Sequence, residues 1–174
     1  MKSNIIRKFI KIINYKYLLL RKNYIKLDKV IEKEEDKALQ YHLNFEKSIA
    51  LQKYDSCFEI LKRANESNRL LRKDIELYVK GILAKYEKDK NYKKAIVLAL
   101  DIINWKNVDI GIKSMVYHLL GNSYYYSNRE KELIDLVEFL KNDDNYKNHP
   151  LVRWANTPLK QERKKISNKF FKQT

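Results

Sequence analysis

Three histidines and one cysteine are the side chains of this sequence with the widest chemistry, because imidazole and thiolate groups bind metals and act as bases or nucleophiles. His42, His118 and His149 lack the spacing of a zinc motif such as HExxH, and Cys57 has no second cysteine as partner. The three glycines are isolated within helical patterns, unlike those of a phosphate-binding loop. We therefore expect a non-enzymatic protein without metal or cofactor, in which Cys57 is a packing residue.

The composition favours long helices joined by polar turns. The chain has 174 residues, a length suited to one domain with a sizeable core, and contains only three Gly and two Pro. We predict an all-α fold. A single Cys excludes an internal disulfide framework and fits a reducing compartment, so we expect a cytoplasmic location.

The formal net charge of +15 is concentrated near the two ends of the chain. Residues 1–33 carry ten Lys or Arg against two acidic residues, and residues 142–174 carry eight against three. Such segments can indicate nucleic acid or an anionic membrane surface as a partner. A composition rich in Lys, Asn, Ile and Tyr is equally typical of an AT-rich genome, which raises the isoelectric point without any polyanionic partner. Both interpretations remain open.

Residues 4–21 are predicted to form a basic amphipathic helix, with Arg7, Lys8 and Lys11 opposite an apolar arc. Basic interruptions argue against a signal peptide, and the longest apolar run, 18–20, is too short to span a bilayer. The helix either lies in a membrane interface, with its cations facing anionic headgroups, or packs its arc on the next helix. The arc comprises Ile5, Ile6, Phe9, Ile10, Ile12, Ile13, Tyr17 and Leu20.

The helical patterns recur with a period of 38 residues, and Cys57, Ala95 and Leu133 mark this step. Such repetition predicts antiparallel helix pairs stacked in an array, each burying one face on its neighbours. The aligned columns also include Phe58, Ile96 and Ile134; Leu61, Ala99 and Val137; Tyr41, Val79 and Tyr117; and Phe45, Leu83 and Gly121. The predicted pairs are 4–21 with 23–33, 36–51 with 54–66, 73–88 with 91–104, and 109–126 with 129–141.

One helix carries a more specific signature, in which Tyr117, Leu120, Gly121 and Tyr124 share a stripe. Gly121 allows a second helix to pack closely, at a cost of roughly 1 kcal/mol in helix propensity. The spacing resembles the first helix of a tetratricopeptide repeat, Trp-x2-Leu-Gly-x2-Tyr. This chain departs from the family pattern in several ways: Tyr117 stands in for the Trp, Leu133 replaces a small residue, the repeat-ending Pro is missing, and its period exceeds the family's period of about 34 residues.

The resemblance implies a right-handed solenoid of three to four antiparallel helix pairs, with repeats over residues 36–145. Basic amphipathic helices of residues 1–35 would pack on this array. Residues 146–174 would add a short helix with Pro150 in its first turn and a basic capping helix over 159–172.

In the tetratricopeptide family, the first helix of each pair lines a concave groove that binds extended peptides or partner helices. Carried over by position, the groove residues of this chain include Lys80, Ala84, His118, Asn122 and Tyr125. Lys80 and Asn122 are suited to hydrogen-bond a peptide backbone or carboxylate.

Together, these observations predict a non-enzymatic adaptor or scaffold that binds a peptide or helix of another protein. Its basic first helix would place it at the inner face of a membrane. The alternative function is nucleic-acid binding, in particular of RNA, by the basic ends of the chain.

Overall fold

A computed structural model describes residues 2–156, and the side chains of residues 10–155. Nine helices and no strands are present in that range, so the predicted all-α class is confirmed. The helices are α1 (Lys2–Leu20), α2 (Tyr24–Glu32), α3 (Lys37–Ala50), α4 (Tyr54–Glu66), α5 (Arg72–Leu77, continued without a break by Tyr78–Leu83 and Ala84–Lys88), α6 (Tyr92–Ile103), α7 (Ile110–Tyr126), α8 (Glu130–Asn142) and α9 (Pro150–Asn156). Every helix of the four predicted pairs begins and ends within two residues of the observed first and last residues.

The four turns that join the two helices of each pair share one backbone conformation. A residue with positive φ follows the first helix, and the next amide bonds back to a carbonyl in its last turn, as in a Schellman motif. Lys53 N–H, for example, donates to Ser48 O at 2.9 Å. The positive-φ residues of these four turns are Lys22, Gln52, Lys90 and Asn128, of which the last three are spaced by 38. Asn68, between α4 and α5, has the same conformation, and the next amide, of Arg69, donates to Ala64 O at 2.7 Å. The sequence period therefore extends to the backbone of the turns.

Most of the predicted repeat columns occupy equivalent positions. Cys57, Ala95 and Leu133 are each the fourth residue of the second helix of a pair, and all three are buried. The prediction was wrong for Ile134, which is 57% exposed although its counterpart Phe58 is buried. Phe58 packs on Trp105, in the turn after the next helix pair, with ring centroids 5.5 Å apart. Ile134 has no such partner because no further pair follows α8 in the described part of the chain.

Helix packing follows chain order. Within residues 2–156, every extensive contact joins helices that are consecutive or alternate in the chain, with α1–α3, α5–α7 and α7–α9 as the alternate contacts. A large core extends from Phe45 in α3 to Val152 in α9. A smaller cluster is formed by α1, α2 and α3 around Tyr15, Leu27 and Leu43.

Helix α1 packs by a different face from the predicted one. Tyr15 and Leu18 are buried, and the Tyr15 hydroxyl donates to Leu43 O at 2.9 Å. The alternative in which the apolar arc packs on the next helix is therefore wrong for the described part of the arc. All of its described members are exposed: Ile10, Ile12, Ile13, Tyr17 and Leu20. Because the large Tyr15 ring is buried and its hydroxyl is hydrogen-bonded, the face of α1 that carries Tyr15 points towards the core, and the apolar arc points away from it. Of the helices that the structure describes, none combines the length and the apolarity needed to cross a bilayer.

Candidate functional site

A cavity of about 430 Å³ opens between α5, α7 and the start of α9. Its lining is mostly apolar, with a lysine and two histidines among the polar groups. This volume lies in the range of roughly 300–1,000 Å³ that is usual for ligand pockets. The lining residues are Val79, Lys80, Ala84, Ser114, Met115, His118, Leu119, His149 and Pro150. Three of the five predicted groove residues, Lys80, Ala84 and His118, are thus brought together around one cavity.

The α5 wall contains an irregular turn that the sequence patterns do not predict. Tyr78–Leu83 is π-helical, and it buries Val79, Ile82 and Leu83 while Lys80 stays exposed. Such turns are rare and occur frequently at functional sites. The one sequence signal for it is Gly81 in the middle of a helical pattern, where a side chain would have no neighbour within 4 Å.

Lys80 belongs to a chain of exposed charges on α5. Its ammonium pairs with the Glu76 carboxylate one turn earlier. A hydrogen bond and the positive charge of Lys80 lower the pKa of Glu76, with a smaller contribution from Arg72. Exposed pairs of this kind contribute little to stability. Lys80 can therefore exchange Glu76 for a carboxylate or carbonyl of a ligand at small cost.

The two walls are formed by matching stripes of side chains. On α7, Met115, His118 and Asn122 share one helix face; Ala84 and Glu87 lie on the facing stripe of α5. Asn122 does not line the cavity. Burial raises the pKa of Glu87, and the nearby side chains of Asn122 and His118 oppose this shift. Glu87 therefore lies near two side chains of α7 at this end of the stripes.

His149 anchors the third wall through both ring nitrogens. Nδ1 accepts the Leu151 amide at 3.2 Å, so Nε2 carries the proton and donates to Ser114 O at 2.9 Å. His149 is buried, and burial lowers its pKa; the neighbouring His118, 6.4 Å away between ring centroids, acts in the same direction. The Ser114 bond acts against this shift. A neutral His149 thus caps α9 and fastens it to α7.

Tyr125 packs beside the cavity rather than lining it. Its ring meets Trp154 of α9 edge-on, with centroids 6.0 Å apart, and Tyr126 at 5.3 Å. Tyr126 in turn stacks on Tyr92. This aromatic row joins α6, α7 and α9, and it gives Tyr125 a half-buried position next to the groove.

The second helix pair, α3 and α4, contributes a closed polar network in place of an open groove. His42, at a position equivalent to Lys80, is buried, and its Nδ1 lies 2.8 Å from Asp74 Oδ1 of α5. Nε2 lies 3.0 Å from Lys73 Nζ and 3.5 Å from a Glu46 oxygen. His42 therefore connects α3 to α5 at the boundary between the two core clusters.

The remaining predicted residues fall in different places. Lys11 is exposed, and its ammonium lies 3.3 Å from an oxygen of the buried Glu34. This pair lies on the side of α1 that faces the rest of the molecule. The side chains of Arg7 and Lys8, and the whole basic segment 159–172, lie outside the described residues. Cys57 is buried as predicted, and burial raises the pKa of its thiol to about 11. Residues 10–155 hold no group of three or more His, Cys, Asp or Glu arranged to bind a metal ion.

Among the lining residues that the repeat pattern misses, Val79, Ser114 and Leu119 lie on α5 and α7, and His149 and Pro150 lie beyond the last helix pair. No protein-family model matches the chain, and neither the curated proteins nor the solved structures include a significantly similar one.

Proposed function

We propose that this protein is a non-enzymatic, tetratricopeptide-like adaptor that binds a peptide or helix of a partner protein in the cavity between α5, α7 and α9. One observation carries the proposal: Lys80, Ala84 and His118, which the repeat positions predict to lie in the groove, all line a single cavity. Lys80 and Ala84 are neighbours on α5, so the informative fact is that His118 of α7 lines the same cavity.

The arrangement of the helices supports an array of repeats. Contacts that join only consecutive and alternate helices are expected when each pair stacks on the next. Gln52, Lys90 and Asn128 repeat one turn conformation at the sequence period. In such an array the first helices α5 and α7 lie side by side, as the shared cavity requires.

The lining indicates what kind of segment would bind. Val79, Met115 and Leu119 provide an apolar floor for one or two bulky apolar side chains. Lys80 at the rim would pair with a carboxylate or a backbone carbonyl of the ligand. We therefore expect a short segment that carries a large apolar residue close to an acidic one or to a chain end.

Peptide selection from a displayed random library tests this proposal. The wild-type protein should enrich peptides of that type, and isothermal titration should give a measurable Kd. In Ala84→Trp the indole should fill the cavity and weaken binding by at least about tenfold, which corresponds to about 1.4 kcal/mol. Lys80→Glu should weaken binding of the acidic peptides selectively.

Val97→Trp is the matched control, because Val97 is 60% exposed on α6 and does not line the cavity. It should leave the Kd unchanged. The proposal fails if the wild type and Ala84→Trp enrich the same peptides, or if Ala84→Trp binds a selected peptide as tightly as Val97→Trp does.

A further inference from the structure

Helix α1 presents an exposed apolar stripe to solvent. Ile10, Ile13, Tyr17 and Leu20 are 60%, 54%, 55% and 82% exposed. Their spacing of three, four and three residues places them on one side of the helix. The stripe lies away from Tyr15 and Leu18, which hold α1 on the rest of the molecule. The folding of the chain therefore leaves this face without a partner among the described residues.

Cations border the stripe on both sides. At about 100° per residue, Lys16 falls at one edge of the stripe, next to Leu20, and Arg21 falls at the other edge, one turn after Tyr17; both are exposed. The Arg21 guanidinium also lies 5.5 Å from the centre of the Tyr17 ring. Residues 1–27 include eight Lys or Arg and no Asp or Glu. A partner that covers this face must therefore accept apolar side chains and be negatively charged around them.

A second copy that pairs through its own α1 does not meet this requirement. The heptad-like spacing of the stripe would suit a coiled coil, but in a parallel pair Lys16 of one copy would lie beside Arg21 of the other. No acidic residue of α1 is present to compensate. Charge complementarity thus argues against the pairing of two α1 helices.

We propose that the stripe of Ile10, Ile13, Tyr17 and Leu20 docks α1 in the plane of an anionic lipid bilayer. The apolar side chains enter the boundary between headgroups and acyl chains, while Lys16 and Arg21 contact the lipid phosphates. An aromatic residue next to a cation is typical of residues at the membrane interface. This function is independent of the groove, since no stripe residue lines the cavity.

Vesicle flotation of the full chain tests the proposal. Wild-type protein should float with vesicles of phosphatidylcholine plus phosphatidylglycerol, and much less with phosphatidylcholine alone. The triple variant Ile13→Gln, Tyr17→Gln and Leu20→Gln should lower the partition coefficient by at least about tenfold, because it removes most of the inserted apolar area. Lys16→Gln with Arg21→Gln should weaken the preference for the anionic vesicles and reduce the sensitivity of binding to salt, while the six other Lys or Arg of residues 1–27 remain.

The matched control replaces three exposed apolar residues on other helices by Gln: Val97, Ile134 and Phe139, which are 60%, 57% and 49% exposed. It should float like the wild type. Circular dichroism checks the fold of every variant, and peptide titration in parallel separates this face from the groove, whose residues are unchanged throughout. The proposal is overturned if wild-type protein floats with neither vesicle, or if the stripe variant binds like the control. A wild-type dimer that ignores vesicles and becomes monomeric in the stripe variant would also overturn it, and would identify a self-association surface.

Discussion

Leu151 occupies the space that a side chain at Gly121 would need. A Cβ at residue 121 would lie 2.5 Å from Leu151 Cδ1 and 2.9 Å from Cδ2. This contact joins the middle of α7 to α9, which begins at Pro150 in the wall of the cavity. Gly121 therefore positions a helix that follows the last of the four helix pairs.

Gly121→Ala should destabilise the protein by about 1–2 kcal/mol, since displacing the buried Leu151 side chain outweighs the gain in helix propensity. In a Leu151→Ala background the same change should become stabilising by up to about 1 kcal/mol. Urea unfolding of the four proteins gives this double-mutant cycle. Gly81→Ala is the control, because its Cβ would meet no atom within 4 Å, and it should not destabilise. Equal effects of Gly121→Ala in the two backgrounds would contradict the contact.

Stability should depend on pH through His149. The pKa of this histidine in the folded protein lies below the ordinary value of 6.5, so the unfolded chain binds the proton more tightly. The contribution of His149 to the free energy of unfolding is therefore complete above pH 6.5 and is lost as the pH falls towards the lowered pKa. A protonated ring could no longer accept the Leu151 amide.

His149→Asn keeps a capping side chain and removes the titration. Urea unfolding between about pH 5 and pH 7 should show a smaller slope for this variant than for the wild type. His118→Asn, which changes the exposed neighbour, should keep most of the wild-type slope. Identical slopes for His149→Asn and the wild type would show that His149 does not titrate as described.

The positive-φ turns offer sites for stabilisation. Gln52 has φ of 56°, a conformation that costs a residue with a side chain roughly 1 kcal/mol relative to glycine. Gln52→Gly should therefore raise the free energy of unfolding by about 0.5–1 kcal/mol. Lys53→Gly changes the next residue, whose φ is −86°, and should not stabilise. Thermal unfolding of both variants checks this, and a lower Tm for Gln52→Gly would contradict it.

The buried thiol of Cys57 should be chemically silent. Because its pKa is raised to about 11, hardly any thiolate is present near neutral pH. Reaction with a disulfide reagent should follow global unfolding and accelerate only in denaturant. Cys57→Ser should cost about 1–3 kcal/mol by burying a hydroxyl at a position that is 0% exposed. Rapid labelling of the native protein would place Cys57 at the surface.

The helices and their pairing could be predicted from the sequence because two independent patterns, the apolar periodicity and the 38-residue repeat, indicate the same helix positions. Cys57, Ala95 and Leu133 illustrate this, since each is the fourth residue of a helix that follows the same type of turn. Ile134 shows the limit: a repeat position is buried only where a following unit covers it. The buried face of α1 was likewise determined by a tertiary contact. Tyr15 is buried, although the apolar arc contains more apolar residues than the face that carries Tyr15.

For the site, repeat position located lining residues both on a regular helix and in the π-helical turn: His118 and Lys80 line the cavity together with Ala84. Tyr125, on the regular helix α7, packs on Trp154 instead, and His149 lines the cavity because the chain after α8 returns to α7. The sequence signal for the π-helical turn in α5 is limited to Gly81. These features come from packing between distant segments.

Methionine methyl NMR tests the groove most directly, because the chain contains only two methionines and Met115 lines the cavity. Protein labelled with [13C-methyl]methionine should show a saturable shift of the Met115 signal on titration with a selected peptide, while the Met1 signal stays constant. The Met115 shift should be lost in Ala84→Trp and kept in Val97→Trp. A Met115 signal that does not move when the peptide is fully bound would place binding elsewhere and contradict the account.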